Sequence, residues 1–152
     1  MTVLLLALVL GGTGGVEADL ARPRGGSVCA VSVLALDPDG RLLSSRTVSA
    51  SRTPAMVLRG WSAPFLEDTP PLVFDVFNPR GQRYQVLLGS TPGRSLVLLG
   101  GTRRADHPVE ARLAVAGSSI AWTSMFGRWR VEPRFEGHDR PCGLPQAFTI
   151  RP

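Results

Sequence analysis

The sequence predicts an all-β fold, an antiparallel β-sandwich or small barrel of about seven to nine short strands. The first observation is the stretch 126–135, in which Trp129, Val131, Pro133 and Phe135 alternate with ionic residues. A period of two is typical of a strand with one buried face. The second observation is that 17 glycines and 13 prolines supply many turns between short apolar runs. The third is that, outside the leader at 1–18, no segment shows a helical period of ten residues.

The two sides of this stretch have different expected environments. Trp129, Val131 and Phe135 on one side, with Phe148 from the last apolar run, are the predicted structural core. The other side is ionic, and we expect it to face solvent. On that side we expect two ion pairs between same-face neighbours, from Glu132 to Arg128 and from Glu132 to Arg134.

The remaining strands are read from apolar runs bounded by turns. They are predicted at 27–36, 41–43, 46–49, 55–61, 72–77, 82–88, 95–99, 109–115 and 147–150. The first is apolar throughout, which predicts a strand covered on both faces. The turns 37–40 and 78–81 place Pro second and Gly fourth, which favours two hairpins, with 41–43 and 46–49 as the return of the first. Three prolines exclude regular pairing from the loop 62–71.

Length and charge restrict the possible classes. A chain of 152 residues is expected to form one domain with its own core. The formal charge is +5, but every one of the 17 basic residues is Arg and they are scattered along the chain, whereas nucleic-acid binding requires clustered basic residues. We therefore predict no nucleic-acid partner. A weak, salt-sensitive contact with an acidic envelope polymer or an anionic lipid stays open.

The N-terminus resembles an export signal. Residues 1–18 contain an apolar run, a Gly-rich break and a small-x-small site at 16–18, which predicts a signal peptide followed by a linker at 19–26. The run is too short to span a bilayer, so no stable membrane span is expected in the mature chain. No Lys or Arg precedes the run, which is what a signal with a missing start or a misassigned start codon would show. The alternative to a signal is an ordinary first strand of the fold. The β-sandwich domain is then 27–152.

Cys29 and Cys142 are the only two cysteines. An even number in an exported chain predicts a disulfide, here between the first strand and the segment before the last one. Closing so long a loop would stabilise the fold by roughly 4 to 5 kcal/mol on the chain-entropy model. The alternatives are a buried free Cys29 with an exposed Cys142, or a metal-binding pair.

The C-terminal half resembles a known class of domain. Its NPRG turn followed by QRYQV, then ARLAVAGSSI, FGRWRVEPRFEG and a final AFTI, is similar to immunoglobulin-like domains of secreted bacterial proteins, over about residues 46–152. The resemblance implies an immunoglobulin-like β-sandwich with a surface, adhesive or scaffolding role. The excursion 136–146 is longer than the turn usual in such domains, and the resemblance assigns no binding residues.

Catalytic and metal-binding candidates are few. His107 and His138 each lie beside an aspartate, which could bind Zn or Cu, but their spacing matches no ligand motif and solvated loops explain them as well. The segment 117–120 lacks the nucleophile elbow of serine hydrolases, and no helix is expected after it. Two carboxylate pairs, 67–68 and Glu132 with Glu136, fit solvated surface better than acid–base chemistry. We predict no enzyme and no cofactor.

Aromatic residues in the predicted loops are the best binding candidates. Trp61 precedes the Pro-rich loop 62–71 and Phe65 lies within it, and Trp122, Met125 and Phe126 form a second cluster. Such clusters either cover the end of a sandwich or form an exposed patch that binds a partner. The segments 61–71 and 121–126 are therefore the predicted recognition surface.

Together these observations predict an exported, non-enzymatic module, secreted, periplasmic or held in the bacterial cell envelope, with a structural or protein-binding role. One alternative is an accessory or inhibitor subunit of an envelope complex that uses its Pro-rich and aromatic loops. The other is a small metal-binding periplasmic sandwich using His107 and His138. The partner and the oligomeric state are not predicted.

Overall fold

The computed structural model describes residues 28–62, 70–90 and 108–152. These residues form nine strands and one short helix: β1 Cys29–Leu36, β2 Leu42–Leu43, β3 Thr47–Ser49, β4 Ala55–Ser62, β5 Leu72–Phe77, β6 Arg83–Leu88, β7 Val109–Ala114, α1 Ser119–Trp122, β8 Gly127–Phe135 and β9 Gln146–Arg151. The predicted signal (1–18), linker (19–26) and strand 95–99 lie outside the described residues.

The strands form two sheets, which confirms the all-β sandwich. One has the order β2-β1-β4-β7 and the other the order β3-β9-β8-β5-β6. Each predicted strand within the described residues is present, with ends that differ by at most two residues. The agreement is close because alternation and Pro-Gly turns are local signals that survive packing.

One pairing differs from the expected antiparallel pattern. The turn 37–40 does form, closed by a 3.0 Å hydrogen bond from Gly40 N to the Asp37 carbonyl, but only β2 returns alongside β1. The strand β3 lies in the other sheet and pairs with β9 in parallel. Its central residue Val48 is only 7% exposed and belongs to the core. Burial of this side chain accounts for the passage of the chain from the first sheet to the second at β3.

The core lies between the sheets and is centred on Trp129. Trp129 and Val131 are fully buried and Phe148 is 2% exposed, as the alternation predicts. Phe135 is half-buried and packs against the edge of the core. The Trp129 ring stacks on Phe148 at 6.2 Å and meets Tyr84 edge-on at 5.2 Å between centroids. The indole N–H donates to the Met125 carbonyl at 3.0 Å, so its polar atom is satisfied inside the core.

The predicted disulfide between Cys29 and Cys142 is present, with Cα atoms 5.4 Å apart. Both free-thiol and metal-pair alternatives are therefore wrong. The backbone N–H groups of Val28 and Cys29 donate to the Cys142 carbonyl at 3.1 and 3.2 Å, and Cys142 N donates to the Pro133 carbonyl at 2.9 Å. The excursion 136–146 thus returns the chain from β8 to the start of β1, which explains why it is longer than a tight turn.

The two ends of the sandwich carry different structures. At one end, Cys29 pairs with Ser62, and the disulfide lies close by. At the other end, Val115 N donates to the Pro54 carbonyl, just before β4 begins, and α1 follows. Eight residues of β4 separate these ends, a length of about 25 Å at the rise of an extended strand.

Candidate functional site

The described members of the predicted recognition set lie in two separate places. Trp61 is a half-buried residue of β4, opposite Ala30, at the disulfide end. Phe65 lies outside the described residues. The cluster of Trp122, Met125 and Phe126 lies at the other end, on and after α1. Trp61 and the cluster at 122–126 therefore lie at opposite ends of the sheet that contains β4, and residues 63–69 of the predicted surface lie outside the described residues.

A single helical turn, α1, follows Ser118, where the sequence predicted no helix. Ser118 is its N-cap, since its Oγ accepts from Ile120 N at 3.2 Å. Ile120 is fully buried and anchors the turn in the core. Four residues are too few to show a helical period in the sequence, so this element was not detectable by pattern.

Further hydrogen bonds hold α1 in place. The Thr123 hydroxyl donates to the Ser119 carbonyl at 2.7 Å, and Met125 N donates to the Ile120 carbonyl at 3.0 Å. The Tyr84 and Ser119 hydroxyls also form a hydrogen bond, which links α1 to β6. Because Tyr84 contacts Trp129, α1 is connected to the centre of the core through one aromatic ring.

The aromatic cluster divides between the two predicted roles. Met125 and Phe126 are half-buried and pack against the core, so they cover the end of the sandwich. Trp122 instead is 80% exposed, the most exposed of the large hydrophobic side chains in the described part of the chain. Its indole N–H donates to the Gly117 carbonyl at 3.2 Å, which satisfies the polar atom and restricts the ring.

A second feature lies on the outer face of the five-stranded sheet. Arg128 and Arg130 alternate with the buried Trp129 and Val131, so they point away from the core. Strand pairing places arginines of β6 and β8 on the same face, and alternation with the buried Ile150 places Arg151 of β9 there. We call this set the arginine face; its members are Arg83, Arg128, Arg130, Arg134 and Arg151.

The ion pairs on this face differ from the predicted ones. Asp75 of β5 lies directly opposite Glu132 of β8, and like charges in that position repel. Each carboxylate is compensated by a different arginine: Glu132 by Arg130 at 3.3 Å, and Asp75 by Arg134 at 2.6 Å. The predicted pairs from Glu132 to Arg128 and to Arg134 are wrong. The sequence did not show that Asp75 lies next to Glu132 in the sheet and pairs with Arg134.

Asp75 is the most deeply placed ionic group of this face. Its side chain is 8% exposed, and Arg83 approaches it at 3.8 Å from the other side. The hydrogen bond that Arg134 donates to Asp75 raises the pKa of Arg134 above its usual value, against the opposing effect of burial. The sequence contains a signal for this ion pair, because Asp75 is the only carboxylate in the apolar run 72–77 and would need a partner when buried.

A shallow cleft of about 410 Å³ opens on the arginine face. Phe77, the turn 78–81 and the start of β9 from Pro145 form its walls, and Arg128 and Arg130 lie along it. The Arg130 guanidinium carbon lies 4.5 Å from the centre of the Phe77 ring, a cation–π contact. Sequence reasoning missed this cleft because its walls come from three separate segments.

The catalytic and metal candidates have the following contacts. Ser118 is used as a helix cap, and Ser119 hydrogen-bonds to Tyr84. Glu132 is paired with Arg130. His138 lies edge-on to Phe135 at 6.1 Å, whereas His107 and the carboxylates at 67–68 lie outside the described residues. Among the residues that the structure does describe, no group of three or more His, Cys, Asp or Glu side chains could hold a metal ion.

Two further findings concern the chain as a whole. In the described ranges, no helix combines the length and the apolar character needed to cross a membrane. Comparison with known proteins found no matching family model, no matching curated protein and no matching solved structure.

Proposed function

We propose that this chain is an exported, non-enzymatic immunoglobulin-like module that binds a protein partner in the bacterial cell envelope. The observation that supports it best is Trp122, a tryptophan 80% exposed on a short turn anchored in the core. Exposed tryptophans of this kind dominate the binding energy of many protein interfaces.

The way Trp122 is held strengthens the proposal. Its ring is tied to the Gly117 carbonyl, and α1 beneath it is fixed by Ser118 and Ile120. A side chain already ordered before binding loses less conformational entropy when a partner covers it. A surface aromatic kept for stability alone would instead be packed, as Met125 and Phe126 are.

Export is supported by the bond between Cys29 and Cys142. Disulfides form and persist mainly in oxidising compartments such as the periplasm and the cell surface. We expect the chain recovered from the envelope or medium to begin at Asp19, as the small-residue site at 16–18 predicts. Intact mass measurement of the exported form tests this, and an exported form that retains residues 1–18 would contradict the cleavage.

Site-specific photocrosslinking tests the binding role. A photoreactive amino acid placed at position 122 should form an adduct with one envelope protein in living cells. The matched control is position 144, since Leu144 is also exposed, at 66%, but follows the disulfide at the other end. An equal adduct from both positions would show only accidental proximity.

A competition assay separates specific binding from collision. Excess wild-type chain should abolish the adduct, whereas the Trp122→Ala chain should compete about 30-fold less well, the effect of losing about 2 kcal/mol from a central hot spot. A Trp122→Ala chain that competes as well as the wild type would rule out Trp122 as the contact residue.

A further inference from the structure

The arginine face carries more positive charge than its own carboxylates compensate. Two acidic side chains of the sheet, Asp75 and Glu132, lie among its five arginines, and the charges of Glu136 and Asp139 also act on Arg134. Arg134 and Arg83 both form ion pairs with Asp75, and Arg130 forms an ion pair with Glu132. Within the described part of the chain, Arg128 and Arg151 form no ion pair. The face therefore carries an excess of positive charge, and Arg128, one of these two arginines, lines the cleft.

Arg130 is held in a geometry suited to a carboxylate. Its guanidinium lies over the Phe77 ring at 4.5 Å, and its Nε faces Glu132 at 3.3 Å. Among the described residues, neither terminal nitrogen of Arg130 forms a hydrogen bond or an ion pair with a side chain other than Glu132. A planar guanidinium with that edge open can donate two parallel hydrogen bonds to one carboxylate.

The spacing of Arg128 and Arg130 also restricts the ligand. They are alternate residues of β8, and such side chains project from the same face about 6.6 to 6.8 Å apart. Alternate side chains of an extended peptide have the same spacing. A peptide with acidic residues at positions i and i+2 can therefore place one carboxylate on each arginine.

The walls of the cleft favour a peptide over a simple anion. Phe77, Pro79 and Pro145 contribute apolar surface, and Asn78 and Gln146 contribute amides. Apolar surface of this kind contacts an aliphatic side chain or backbone, but gains nothing from phosphate. The turn 78–81 is itself well supported, since the Asn78 Oδ1 accepts from Arg80 N and Gln82 N, each at 3.0 Å.

We propose that the arginine face binds an extended acidic peptide segment of a partner protein, with carboxylates at alternate positions on Arg128 and Arg130 and the intervening chain against the Phe77 wall. This site is separate from Trp122 and does not depend on the role proposed for that residue. Its chemistry is that of charge-assisted, bidentate carboxylate recognition, so the contact should weaken as salt rises.

A fluorescence polarisation titration with the full chain tests this site. The probe is a labelled peptide in which Asp alternates with Val, and its control replaces every Asp with Asn. We expect the acidic peptide to bind at low salt and the Asn peptide to bind at least about tenfold more weakly, as expected from the loss of one or more charge-assisted hydrogen bonds. Equal binding of the two peptides, or no binding of the acidic one, would overturn the proposal.

Variants of equal charge locate the site. The double change Arg128→Ser and Arg130→Ser should weaken acidic-peptide binding about tenfold or more. The matched control is Arg41→Ser with Arg112→Ser, which removes the same charge from exposed positions away from the cleft. Melting curves of both double variants report on folding. If the two lower the affinity equally, binding reflects net charge alone and the proposal is wrong.

Competition identifies the class of ligand. Inorganic phosphate, a single-stranded oligonucleotide and vesicles containing anionic lipid should each displace the labelled peptide less effectively than unlabelled acidic peptide at equal charge concentration. Displacement by the oligonucleotide or the vesicles at lower concentration than the peptide would assign the face to a nucleic acid or a membrane surface instead.

Discussion

The Arg134 guanidinium donates to both carboxylate oxygens of Asp75, with Nε 2.6 Å from Oδ2 and Nη2 3.3 Å from Oδ1. The pair joins β8 to β5 across the outer face of the sheet. Arg134 also donates from Nη1 to the His138 carbonyl at 3.0 Å, which ties the start of the 136–146 excursion to the same group. One side chain therefore couples the sheet to the segment that carries Cys142.

The two halves of this pair should respond differently to substitution. Arg134→Met leaves the Asp75 carboxylate 8% exposed with Arg83 at 3.8 Å, and we expect a loss of about 3 to 5 kcal/mol, as for a broken buried ion pair. Asp75→Ala should cost less, because Arg134 is 17% exposed and can reach solvent. Chemical denaturation of both variants measures the difference, and a larger loss in Asp75→Ala would contradict it.

The pair's contribution should not vary with pH in the neutral range. The pKa of Arg134 is raised in the folded protein by its hydrogen bond with Asp75. A group whose pKa is raised on folding contributes its full stabilising free energy at pH values below its ordinary pKa. That contribution is lost as the pH rises through the raised pKa. Because arginine is protonated throughout the neutral range, the difference in unfolding free energy between the wild type and Arg134→Met should stay constant across it, and chemical denaturation at several neutral pH values checks this.

Trp129 and Trp122 should separate stability from binding. Trp129→Ala removes a fully buried ring and its bond to Met125, so we expect a loss of about 3 to 5 kcal/mol through cavity formation. Trp122→Ala removes a ring that is 80% exposed, and the melting temperature should barely change. Equal falls in melting temperature for the two variants would contradict this division.

Removing the disulfide should lower stability strongly. Cys29 and Cys142 are 113 positions apart, and on the chain-entropy model a loop of that length contributes about 4 to 5 kcal/mol. The double variant Cys29→Ser and Cys142→Ser should therefore unfold at much lower denaturant concentration than the oxidised protein. The reduced wild type is the matched control, and it should behave like the double variant.

Gly60 should not tolerate even one added methyl group. A Cβ at this position would lie 2.5 Å from Leu72 Cδ2 and 2.7 Å from Phe74 Cζ, which project from the opposite sheet. We expect Gly60→Ala to cost about 1 to 3 kcal/mol by overpacking. Combining it with Phe74→Leu should give a loss smaller than the sum of the two, because the smaller side chain leaves room for the methyl group. Additive losses would show that the two residues do not compete for space.

Sequence patterns predicted the inward residues better than the outward ones. Trp129, Val131 and Phe148 are buried as the alternation required, because a core position needs only an apolar side chain on the correct face. The outward partners of Glu132 depended on which strand lies next to β8. Asp75 comes from 57 positions away along the chain, and no local pattern connects the two.

The candidate site shows the same division. Trp122 and the pair Met125 and Phe126 were indistinguishable in the sequence as one aromatic cluster, and only the buried Ile120 and the Ser118 cap decided that the first ring points outward. Trp61 was grouped with them because both segments look like aromatic loops. Its register in β4 places it instead at the opposite end.

The sequence by itself determined the strands, the turns at 37–40 and 78–81, the inward face of β8 and the pairing of two lone cysteines. Each of these follows from short-range geometry: a period of two, residues suited to tight turns, or a count with one solution. The tertiary structure decided the parallel pairing of β3 with β9, the partner of Asp75, the arginine face and the exposure of Trp122. These are contacts between distant segments, and their energies depend on strand order and packing, which side-chain patterns along one segment do not encode.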